Sequence, residues 1–557
     1  MVANRVVLND KTENVTHKYI RRVISVKNKV HEGICAEGMS EKMKLIQLAA
    51  HYTDGMIFQR ERNILIEGEA YAPCEITATL GEDTVSVAAQ PGYFSFSLPP
   101  RKADRGLCLT IKACANGNEQ GEQNEKKEQS EQKEQVLTLS DIYIGEVWFA
   151  GGQSNMQWPL HDTDEYRQNP YVKENSDLRF YTIGRNVVAA PDQLNEGYQW
   201  AYANDHGWVG CDEESATHFS AVAYHFAHTL YEAINIPIGI INCNVGGSSI
   251  FSWIPLEDIK EIPDLAFAWD EHVKELAEVD PAQTKEEYHR FLDEIAKTCD
   301  ISKNTSGLGD ELPAYYYHEP GQYRFKRPGI LYKTMLERVS AFPAKGMLWY
   351  QGETEAGYPG CNHYAAALEA LVGNMKHRQQ DQDFAFNYVQ IAPYGEGDPE
   401  CWPRVNDQMR RFFLHHPDYA MITTGDVGCA TDIHPQQKRP VGERLAYAAM
   451  HRSYDLPHEF TGPIAESALR LGDEVRISFI HGAGLHQRHT KPGRFELVYD
   501  DGTMKEATPE LRDNAVYLSL PDGPTPKLVR YEFTAYSEVG LFNKYGFPAS
   551  LFEVAVG

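Results

Sequence analysis

The sequence contains no uninterrupted apolar stretch of about 18 residues, the length that a membrane-spanning helix requires. Basic residues are also few, since 53 Lys and Arg stand against 79 Asp and Glu and give a net charge of −26. Such a negative surface repels nucleic acid and anionic membranes, so we expect neither as a partner. The 10 cysteines form no Cys-x-x-Cys pair and show no zinc-type spacing with histidine. They predict reduced, mostly buried thiols and no metal site.

The start of the chain lacks the apolar stretch of roughly 7 to 15 residues that marks a signal peptide. Charged side chains interrupt the segment VANRVVLNDKTENVTHKYIRRV every few positions. We therefore expect residues 1–42 to form a disordered leader, with an amphipathic docking segment as the alternative. The absence of an export signal predicts a cytoplasmic protein.

At about 150 residues per domain, a chain of 557 residues is expected to form three to four domains. Between residues 43 and 140, segments such as ILIEGEA and EITATL alternate apolar and polar residues, which is typical of half-buried antiparallel strands. Residues 116–135 contain no apolar side chain, so we interpret them as a solvated loop between two strands. The sequence predicts a β-rich N-terminal domain over residues 43–140.

The pattern changes at Ile142, where IYIGEVWFA begins a series of nearly continuous apolar runs. Such runs suit strands that are buried on both faces of a parallel sheet, and helix-period segments lie between them. Residues 141–455 therefore predict an α/β domain with a mostly parallel sheet. Alternating segments return beyond that point, and residues 456–557 predict a second β-rich domain.

Small residues follow two of the predicted buried strands. Ser154 lies in the segment GGQSNM directly after the first of them, where a tight strand-to-helix turn would expose its hydroxyl at a helix N-terminus. Unpaired backbone N–H groups at such a terminus favour a developing oxyanion. A glycine-rich turn that Ser154 only caps is the alternative. The pair Gly246 and Gly247 follows a second strand and would let a backbone N–H approach a ligand closely.

Polar side chains follow two further strands. Gln351 comes after GMLWY and could donate a hydrogen bond there. Asp432 and His434 follow YAMITT, and a histidine at a strand end with a carboxylate nearby is typical of a general base and its orienting acid. Asp426 lies in the same segment and is a second candidate for the orienting role. Because open α/β sheets place active sites outside the carboxyl ends of their strands, we expect these features to form one site.

Together these motifs resemble a known family. The segments GEVWFAGGQSNMQW, NVGGSSIFSW, KGMLWYQGETEA and DIHPQQKRPVGERLA occur in this order and are similar to the sialate O-acetylesterases, a family of SGNH-type hydrolases. The similarity extends over roughly residues 43–556. It implies a flavodoxin-like SGNH α/β domain, flanked by β-rich domains and carrying a helical insertion at about residues 254–322.

The resemblance also implies catalytic roles. Ser154 would be the nucleophile that attacks an acetyl carbonyl, and His434 would be the general base that takes its proton. Asp432 would orient His434, but many SGNH enzymes place this acid three residues before the histidine, where this sequence has Thr431. The choice between Asp432 and Asp426 therefore stays open at this stage.

By the same resemblance, the oxyanion hole consists of the Ser154 backbone N–H, one of Gly246 and Gly247, and the Gln351 side chain. No metal ion or organic cofactor is required for this chemistry.

Three further residues are expected to contact the substrate: Asn155, Glu355 and Trp253. Glu355 departs from the Asn or Asp that the family often has after its Gln-Gly-Glu-Ser/Thr motif, so it could alter substrate contacts or crowd the site. For Trp253, packing in the protein core is the alternative.

The sequence thus predicts a serine esterase that removes O-acetyl groups from carbohydrates by way of an acetyl-enzyme. The expected substrates are acetylated sialic acid or acetylated plant oligosaccharides such as xylan or mannan fragments. A catalytically inactive carbohydrate-binding protein of the same fold is the alternative. A homo-oligomer is compatible with the sequence, which does not specify an oligomeric state.

Overall fold

The structure is a computed structural model that describes residues 44–115, 134–184, 207–284, 286–287, 326–488 and 493–557. The predicted leader at 1–42 and most of the predicted polar loop lie outside the described residues. Within the described ranges, no helix is long and apolar enough to cross a membrane.

The N-terminal region consists of short strands whose side chains alternate between core and surface. Strands β1, β3 and β6 form a three-stranded antiparallel sheet, whereas β4 pairs with β5 and β7, and β7 leads into the large central sheet. Alternation in segments such as CEITATL buries every second residue, as expected for sheets with one solvated face. The strands are β1 (Ile46–Leu48), β2 (Ile57–Gln59), β3 (Ile64–Ala70), β4 (Cys74–Leu80), β5 (Asp83–Ala89), β6 (Gly92–Leu98) and β7 (Asp104–Ala115).

Strand β8 (Glu134–Gly152) connects the N-terminal strands to the α/β region. Its first half alternates in exposure and pairs antiparallel with β7, whereas its second half is buried on both faces. The predicted polar loop therefore ends two residues earlier than expected, since residues 134 and 135 already pair with β7. Strand β8 also runs through residues 140 and 141, where the composition had suggested a domain boundary.

The central sheet has 11 strands and is mixed, but seven of its strands take part in parallel pairs, including β2, which pairs with β8. Strands β11, β8, β12, β13 and β14 lie side by side in the 2-1-3-4-5 order of flavodoxin-like folds. Strand β9 extends this row beyond β11, and β10 pairs antiparallel with it at the edge. The added strands are β9 (Asn175–Thr182), β10 (Trp208–Cys211), β11 (Ile238–Asn244), β12 (Gly346–Tyr350), β13 (Ala385–Val389) and β14 (Ala420–Ile422). The expectation of a mostly parallel sheet thus holds for this part and not for the sheet as a whole.

Helices cover both faces of this sheet. Successive side chains of a strand point to opposite sides, so the continuous apolar runs give each face a hydrophobic surface that helices bury. Trp148 and Ala150 of β8 pack into one core with Phe226 and Leu445, whereas Phe149 packs on the opposite face. The helices are α1 (Ser154–Gln157), α2 (Asp164–Gln168), α3 (Glu213–Thr217), α4 (Ala221–Ile234), α5 (Leu256–Glu261), α6 (Ala266–Glu278), α7 (Ile330–Thr334), α8 (Tyr364–Gln379), α9 (Cys401–His415) and α10 (Arg439–Ser453). Short 3-10 helices occupy Leu160–Asp162, Ile250–Trp253, Leu336–Arg338, Glu353–Glu355 and Gly360–Asn362.

Local sequence explains where α4 begins and ends. The Ser220 side chain accepts a hydrogen bond from the backbone N–H of Ala223 (3.2 Å), which caps the N-terminus. At the other end Asn235 adopts a left-handed conformation with φ 51° and stops the helix. Between these caps a buried stripe packs α4 against α10 and the sheet.

Within the predicted helical insertion, the described part contains α5, α6 and a further helical stretch over residues 281–284 and 286–287. The remainder of the insertion lies outside the described residues.

The C-terminal region is built from small antiparallel sheets. Strands β15, β16, β21 and β20 form one four-stranded sheet, and β19, β18, β22 and β24 form another. The strands are β15 (Ile464–Leu471), β16 (Glu474–Ile480), β17 (His486–Gln487), β18 (Phe495–Val498), β19 (Met504–Ala507), β20 (Pro509–Arg512), β21 (Ala515–Ser519), β22 (Leu528–Tyr531), β23 (Leu541–Phe542) and β24 (Phe552–Ala555).

Candidate active site

Ser154 is the first residue of α1, directly after the carboxyl end of β8. The turn depends on Gly152, whose φ of 139° lies in a region that favours glycine. A Cβ atom at Gly152 would lie 2.1 Å from the backbone oxygen of Tyr350 on the neighbouring strand β12. The close approach of two strands therefore fixes the turn that presents Ser154. At the first position of the helix, its backbone N–H has no intrahelical acceptor.

His434 reaches Ser154 from the segment between β14 and α10. The His434 Nε2 atom lies 2.9 Å from the Ser154 Oγ atom, a hydrogen-bond distance. Trp158 stacks against the imidazole, with ring centroids 4.8 Å apart and an interplanar angle of 24°. Burial is the main reason why the His434 pKa lies below its usual value, and the Lys438 ammonium lowers it further, whereas the Asp432 carboxylate opposes the shift.

Asp432 binds the backbone next to the imidazole. Its Oδ1 atom accepts a hydrogen bond from the His434 backbone N–H (2.8 Å), and its Oδ2 atom accepts one from the Gln436 side chain (3.0 Å). Within the described part of the chain, no hydrogen bond joins this carboxylate to the His434 ring. Asp432 thus shapes the loop that carries His434 and acts on the ring through its charge.

Asp426, the second candidate for the orienting acid, lies in a different environment. Its carboxylate forms a bidentate ion pair with the Arg444 guanidinium of α10, at 2.8 and 2.6 Å. Arg444 also donates to the backbone oxygen of Thr423. Asp426 therefore anchors α10 to the end of β14, and of the two acids it is Asp432 that lies beside His434.

Gly246 lies beside Ser154, because a Cβ atom added to it would be 3.5 Å from the Ser154 Cβ atom. Its backbone N–H already donates to the Gln157 side-chain oxygen at 2.7 Å. Gly247 follows with a φ of 67°, in the left-handed region. Gln157 is a residue that the sequence analysis missed, although its position three residues after Ser154 places both on one face of α1.

Gln351 does not fit the predicted role of an oxyanion donor. Its side chain is fully buried, and its amide nitrogen donates to the Gln153 side chain (3.1 Å), to the Ser248 backbone oxygen (3.1 Å) and to the Glu355 carboxylate. Its amide oxygen accepts from the Tyr364 hydroxyl at 2.8 Å. An amide nitrogen has two hydrogens, and both are already committed to acceptors inside the protein. Gln351 therefore holds the ends of neighbouring strands together.

Asn155 also differs from its predicted contact with substrate. Its side chain is 1% exposed, and its amide nitrogen donates to the Ile433 backbone oxygen (3.1 Å) and to the Glu353 carboxylate. Its amide oxygen accepts from the Lys438 ammonium. With every polar atom engaged, Asn155 links α1 to the segment that carries His434 and leaves no group for a ligand.

Trp253 is a core residue, so the packing alternative was the right one. The ring is fully buried, donates to the Ser248 hydroxyl at 2.9 Å and meets Trp349 edge to face, with centroids 6.3 Å apart. A side chain without exposed surface cannot contact a substrate in this structure. Its place after a glycine turn had suggested a binding role that its packing excludes.

Glu355 lines a cavity of about 400 Å³, together with Ser249 and Thr354. Its carboxylate is 3% exposed and accepts hydrogen bonds from the Ile250 backbone N–H (3.1 Å) and from the Gln351 amide. Burial raises the pKa of Glu355 to about 7, although these hydrogen bonds oppose the shift. The cavity is lined by aromatic and charged side chains, among them Phe251, Phe267, His272, Arg327 and Tyr358. Of the three predicted substrate contacts, Glu355 lines this cavity, whereas Asn155 and Trp253 do not.

The described residues contain no group of three or more His, Cys, Asp or Glu side chains that could hold a metal ion. The arrangement can instead support nucleophilic catalysis, because a serine hydroxyl is hydrogen-bonded to an imidazole at the carboxyl ends of parallel strands.

Comparison with known proteins shows which family the chain is similar to. Residues 321–451 match the family described as "Carbohydrate esterase, sialic acid-specific acetylesterase". The chain is 25% identical over 388 residues to the sialate O-acetylesterase of Rattus norvegicus, covering 65% of this chain and 66% of the rat protein. The human sialate O-acetylesterase is 23% identical over 355 residues, covering 59% of this chain and 58% of the human protein. The alignments thus span less than two thirds of the length of these relatives, 66% of the rat protein and 58% of the human protein.

A solved structure shows the same fold. XAC1771, a carbohydrate acetylesterase from Xanthomonas citri, superimposes with a TM-score of 0.70 and 23% identity, covering 91% of this chain and 99% of that protein. The fold similarity extends over the N-terminal strands, the α/β region and the C-terminal sheets, because it covers nearly the whole chain. The resemblance predicted from the sequence motifs is confirmed: the chain is similar to the sialate O-acetylesterases, a family of carboxylic ester hydrolases.

Proposed function

We propose that this protein is a serine esterase that hydrolyses O-acetyl groups on carbohydrates. The observation that carries the proposal is the 2.9 Å contact between Ser154 Oγ and His434 Nε2. A general base must lie within hydrogen-bond reach of the proton that it takes, and this pair meets the requirement. The family, whose relatives are named acetylesterases, supports O-acetyl esters as the class of substrate.

In the first half of the reaction, the Ser154 oxygen attacks the acetyl carbonyl carbon while its proton passes to His434 Nε2. For Nε2 to accept this proton, the ring must carry its own proton on Nδ1. The tetrahedral intermediate then collapses. The bond between the acetyl carbon and the sugar oxygen breaks, and the His434 proton goes to that oxygen. The products are a free sugar hydroxyl and an acetyl ester on Ser154.

In the second half, water attacks the acetyl-enzyme. His434 takes a proton from the water as the new carbon–oxygen bond forms, and returns it to the Ser154 oxygen as that ester breaks. Acetate leaves and the free serine is restored. The steps are acid–base and nucleophilic, and one cycle consumes one ester and one water.

Backbone N–H groups stabilise the oxyanion in this proposal. The Ser154 N–H is available at the start of α1, and the Gly246 N–H becomes available when the acetyl oxygen displaces the Gln157 side chain. Losing one such donor typically costs on the order of 100 to 1,000-fold in rate. Gln351 has no part here, because its amide is committed within the protein.

Two substrate classes are proposed, acetylated sialic acid and acetylated xylo- or manno-oligosaccharides. The cavity at Glu355 combines aromatic with charged side chains, a lining suited to a sugar ring with polar substituents. Both classes fit that description, so the panel of substrates in the experiment has to separate them.

The test is acetate release from a panel of acetylated sialic acid, xylo-oligosaccharides and manno-oligosaccharides. The wild type is compared with Ser154→Ala and with Ser86→Ala, a matched control at an exposed serine in β5. We expect release by the wild type and the control, and a loss of more than about 1,000-fold in Ser154→Ala. Equal behaviour of wild type and Ser154→Ala, with binding to the panel retained, would instead favour the inactive carbohydrate-binding protein.

A further inference from the structure

Lys438 lies four residues after His434 and directly before α10, and its side chain contacts Asn155 next to Ser154. Its side chain is 1% exposed, and its ammonium donates to the Asn155 side-chain oxygen. The rings of Trp158 and Tyr350 stand 5.7 and 5.9 Å from the Lys438 nitrogen, measured to their centroids. A charged lysine is rarely buried this completely unless it is paired. The mechanism proposed above assigns it no role.

The acceptor of this bond, Asn155, is the residue next to the nucleophile. Its amide nitrogen donates to the backbone oxygen of Ile433, the residue directly before His434. One amide therefore spans the gap between the Ser154 helix and the His434 segment, which come from positions almost 280 residues apart. The same nitrogen also donates to Glu353, whose side chain is 8% exposed.

The charges on either side of the Asn155 amide determine its orientation. The oxygen end faces the Lys438 ammonium, a donor only, and the nitrogen end faces the Glu353 carboxylate, an acceptor only when ionised. Rotating the amide by half a turn would oppose donor to donor at Lys438 and acceptor to acceptor at Glu353 and Ile433. Because unpaired polar groups are costly in a buried site, the charged pair excludes the rotated form.

We propose that Lys438 is a positioning residue of the esterase, which acts through the Asn155 amide to hold His434 within reach of Ser154. This inference rests on the proposed function for its kinetic consequence, and on direct contacts for its structural content. Lys438 touches neither the substrate nor the reacting atoms. Its effect is to keep the amide bond between Asn155 and the Ile433 oxygen in place.

The ammonium also acts on His434 through its charge. The charged groups that face the pair are Lys438, Asp432 and Glu353, and Tyr350 is the titratable group below them. Lys438 lowers the pKa of His434, whereas Asp432 raises it. Burial lowers the pKa of Lys438 itself to about 7, with Glu353 and Asp432 opposing the shift. At pH values below 7 the ammonium is therefore charged and keeps the imidazole neutral to lower pH than burial alone would.

The first experiment compares the wild type with Lys438→Met and Lys438→Gln, measuring kcat and KM for acetate release across pH. We expect Lys438→Met to lower kcat by on the order of 100-fold, because a catalytic group displaced by about 1 Å costs that much. KM should change less than about 3-fold. The acid limb of kcat/KM should move to higher pH, since removing the ammonium lets the His434 pKa rise.

Lys438→Gln separates hydrogen bonding from charge, because its amide can still donate to Asn155. It should retain most of kcat and yet show the shifted acid limb. It also serves as the test if Lys438→Met fails to fold. Lys505→Met, at an exposed position in β19, is the matched control and should leave both quantities unchanged.

A double-mutant cycle tests whether Lys438 acts through Asn155. Asn155→Leu should lower kcat by itself, and adding Lys438→Met should then lower kcat little further, while still shifting the acid limb. Fully additive losses would overturn the proposal, because Lys438 would then act without Asn155. An unshifted acid limb in a folded Lys438→Met protein would overturn it too, since a purely structural lysine leaves the histidine unchanged.

The His434 pKa can also be measured directly, by NMR of 15N-histidine-labelled protein with His434→Asn to assign the signal. A rise of this pKa in Lys438→Met is expected whether or not acetate is the product. If Ser154→Ala shows that the protein is not a serine esterase, this measurement still tests whether Lys438 acts on His434. An unchanged His434 pKa in Lys438→Met would reject the proposal for Lys438.

Discussion

The Ser154 hydroxyl and the His434 imidazole lie 2.9 Å apart although their strands, β8 and β14, are separated in the sheet by β12 and β13. After β14 the chain turns back across the strand ends and forms an isolated bridge between Cys429 and Tyr394, which follows β13. It then continues to the end of β8, where Asn155 binds the Ile433 oxygen. The catalytic contact therefore depends on a segment that crosses the sheet edge and is held at two points.

Replacing the acid beside His434 should change the pH dependence of catalysis. Asp432 raises the pKa of His434, so Asp432→Asn should let that pKa fall and move the acid limb of kcat/KM to lower pH. We expect kcat to fall only on the order of 10-fold, because the carboxylate binds the His434 backbone and not its ring, unlike an acid that fixes the imidazole tautomer.

Asp426→Asn is the matched control for that change. It weakens the ion pair with Arg444 and should lower the free energy of unfolding by about 1.5–3 kcal/mol, without moving the acid limb. The opposite pattern, with the limb moved by Asp426→Asn and not by Asp432→Asn, would transfer the acid role to Asp426.

Gln351→Ala should lower the free energy of unfolding and affect kcat mainly through that loss of stability. The substitution removes one donor each from the Gln153 oxygen and the Glu355 carboxylate, and one of the two acceptors of the Tyr364 hydroxyl. Each buried polar group left unpaired costs about 1–3 kcal/mol, so we expect a fall of several kcal/mol in the free energy of unfolding. Urea unfolding measures this. A variant with wild-type stability and a kcat reduced by about 100-fold would instead restore Gln351 to the oxyanion hole.

Gly152→Ala should disrupt the turn that presents Ser154. The added Cβ would meet the Tyr350 backbone oxygen at 2.1 Å, and the positive φ adds strain of about 1–3 kcal/mol. Gly92→Ala is a close control, since Gly92 also has a positive φ (117°) but its Cβ would meet no atom within 4 Å. We expect a modest loss of thermal stability for Gly92→Ala and a larger loss, with abolished activity, for Gly152→Ala. Equal losses would show that strand contact at Gly152 is unimportant.

Glu355 should make stability depend on pH. Folding raises its pKa from 4.5 to about 7, so between these values the folded state keeps a proton that the unfolded state has lost. Stability from this group is present below pH 4.5 and is lost as the pH rises through 7, by about 3 kcal/mol at 1.36 kcal/mol for each pKa unit. The measurement is urea unfolding of the wild type and Glu355→Gln over this range. The unfolding free energy of the wild type minus that of Glu355→Gln should fall by about 3 kcal/mol as the pH rises from 4.5 to 7.

The exposed Glu82→Gln variant provides the control, because Glu82 lies at the surface between β4 and β5. A difference between wild type and Glu355→Gln that stays flat from pH 4.5 to pH 7 would mean that Glu355 does not take up a proton on folding.

Much of the architecture could be predicted from the sequence. Period-2 alternation marked the N- and C-terminal strands, and buried apolar runs marked the strands of the α/β region, because both patterns record which faces of a strand are covered. Motifs at the strand ends identified Ser154 and His434, which the structure brings into contact. These predictions succeeded because they depend on local periodicity and on the general rule for where parallel sheets place polar residues.

The roles of individual polar side chains required the tertiary structure. Gln351, Asn155 and Trp253 follow strand ends as binding residues do, yet all three are buried and bonded within the protein. The sequence could not reveal that these side chains bond within the protein. The type of a polar residue is the same whether its partner is a ligand or a protein group far along the chain.

Lys438 is the converse case, a residue near the site that the sequence did not single out. In the sequence Lys438 is an ordinary charged residue at the end of DIHPQQK. Only the folded chain brings its ammonium into contact with the Asn155 side chain. The sequence by itself indicated the family that the chain resembles, the succession of strands and helices, and the pair Ser154 and His434. Tertiary structure decided which polar groups are free to meet a substrate, because burial and the pairing of distant donors and acceptors exist only in the folded chain.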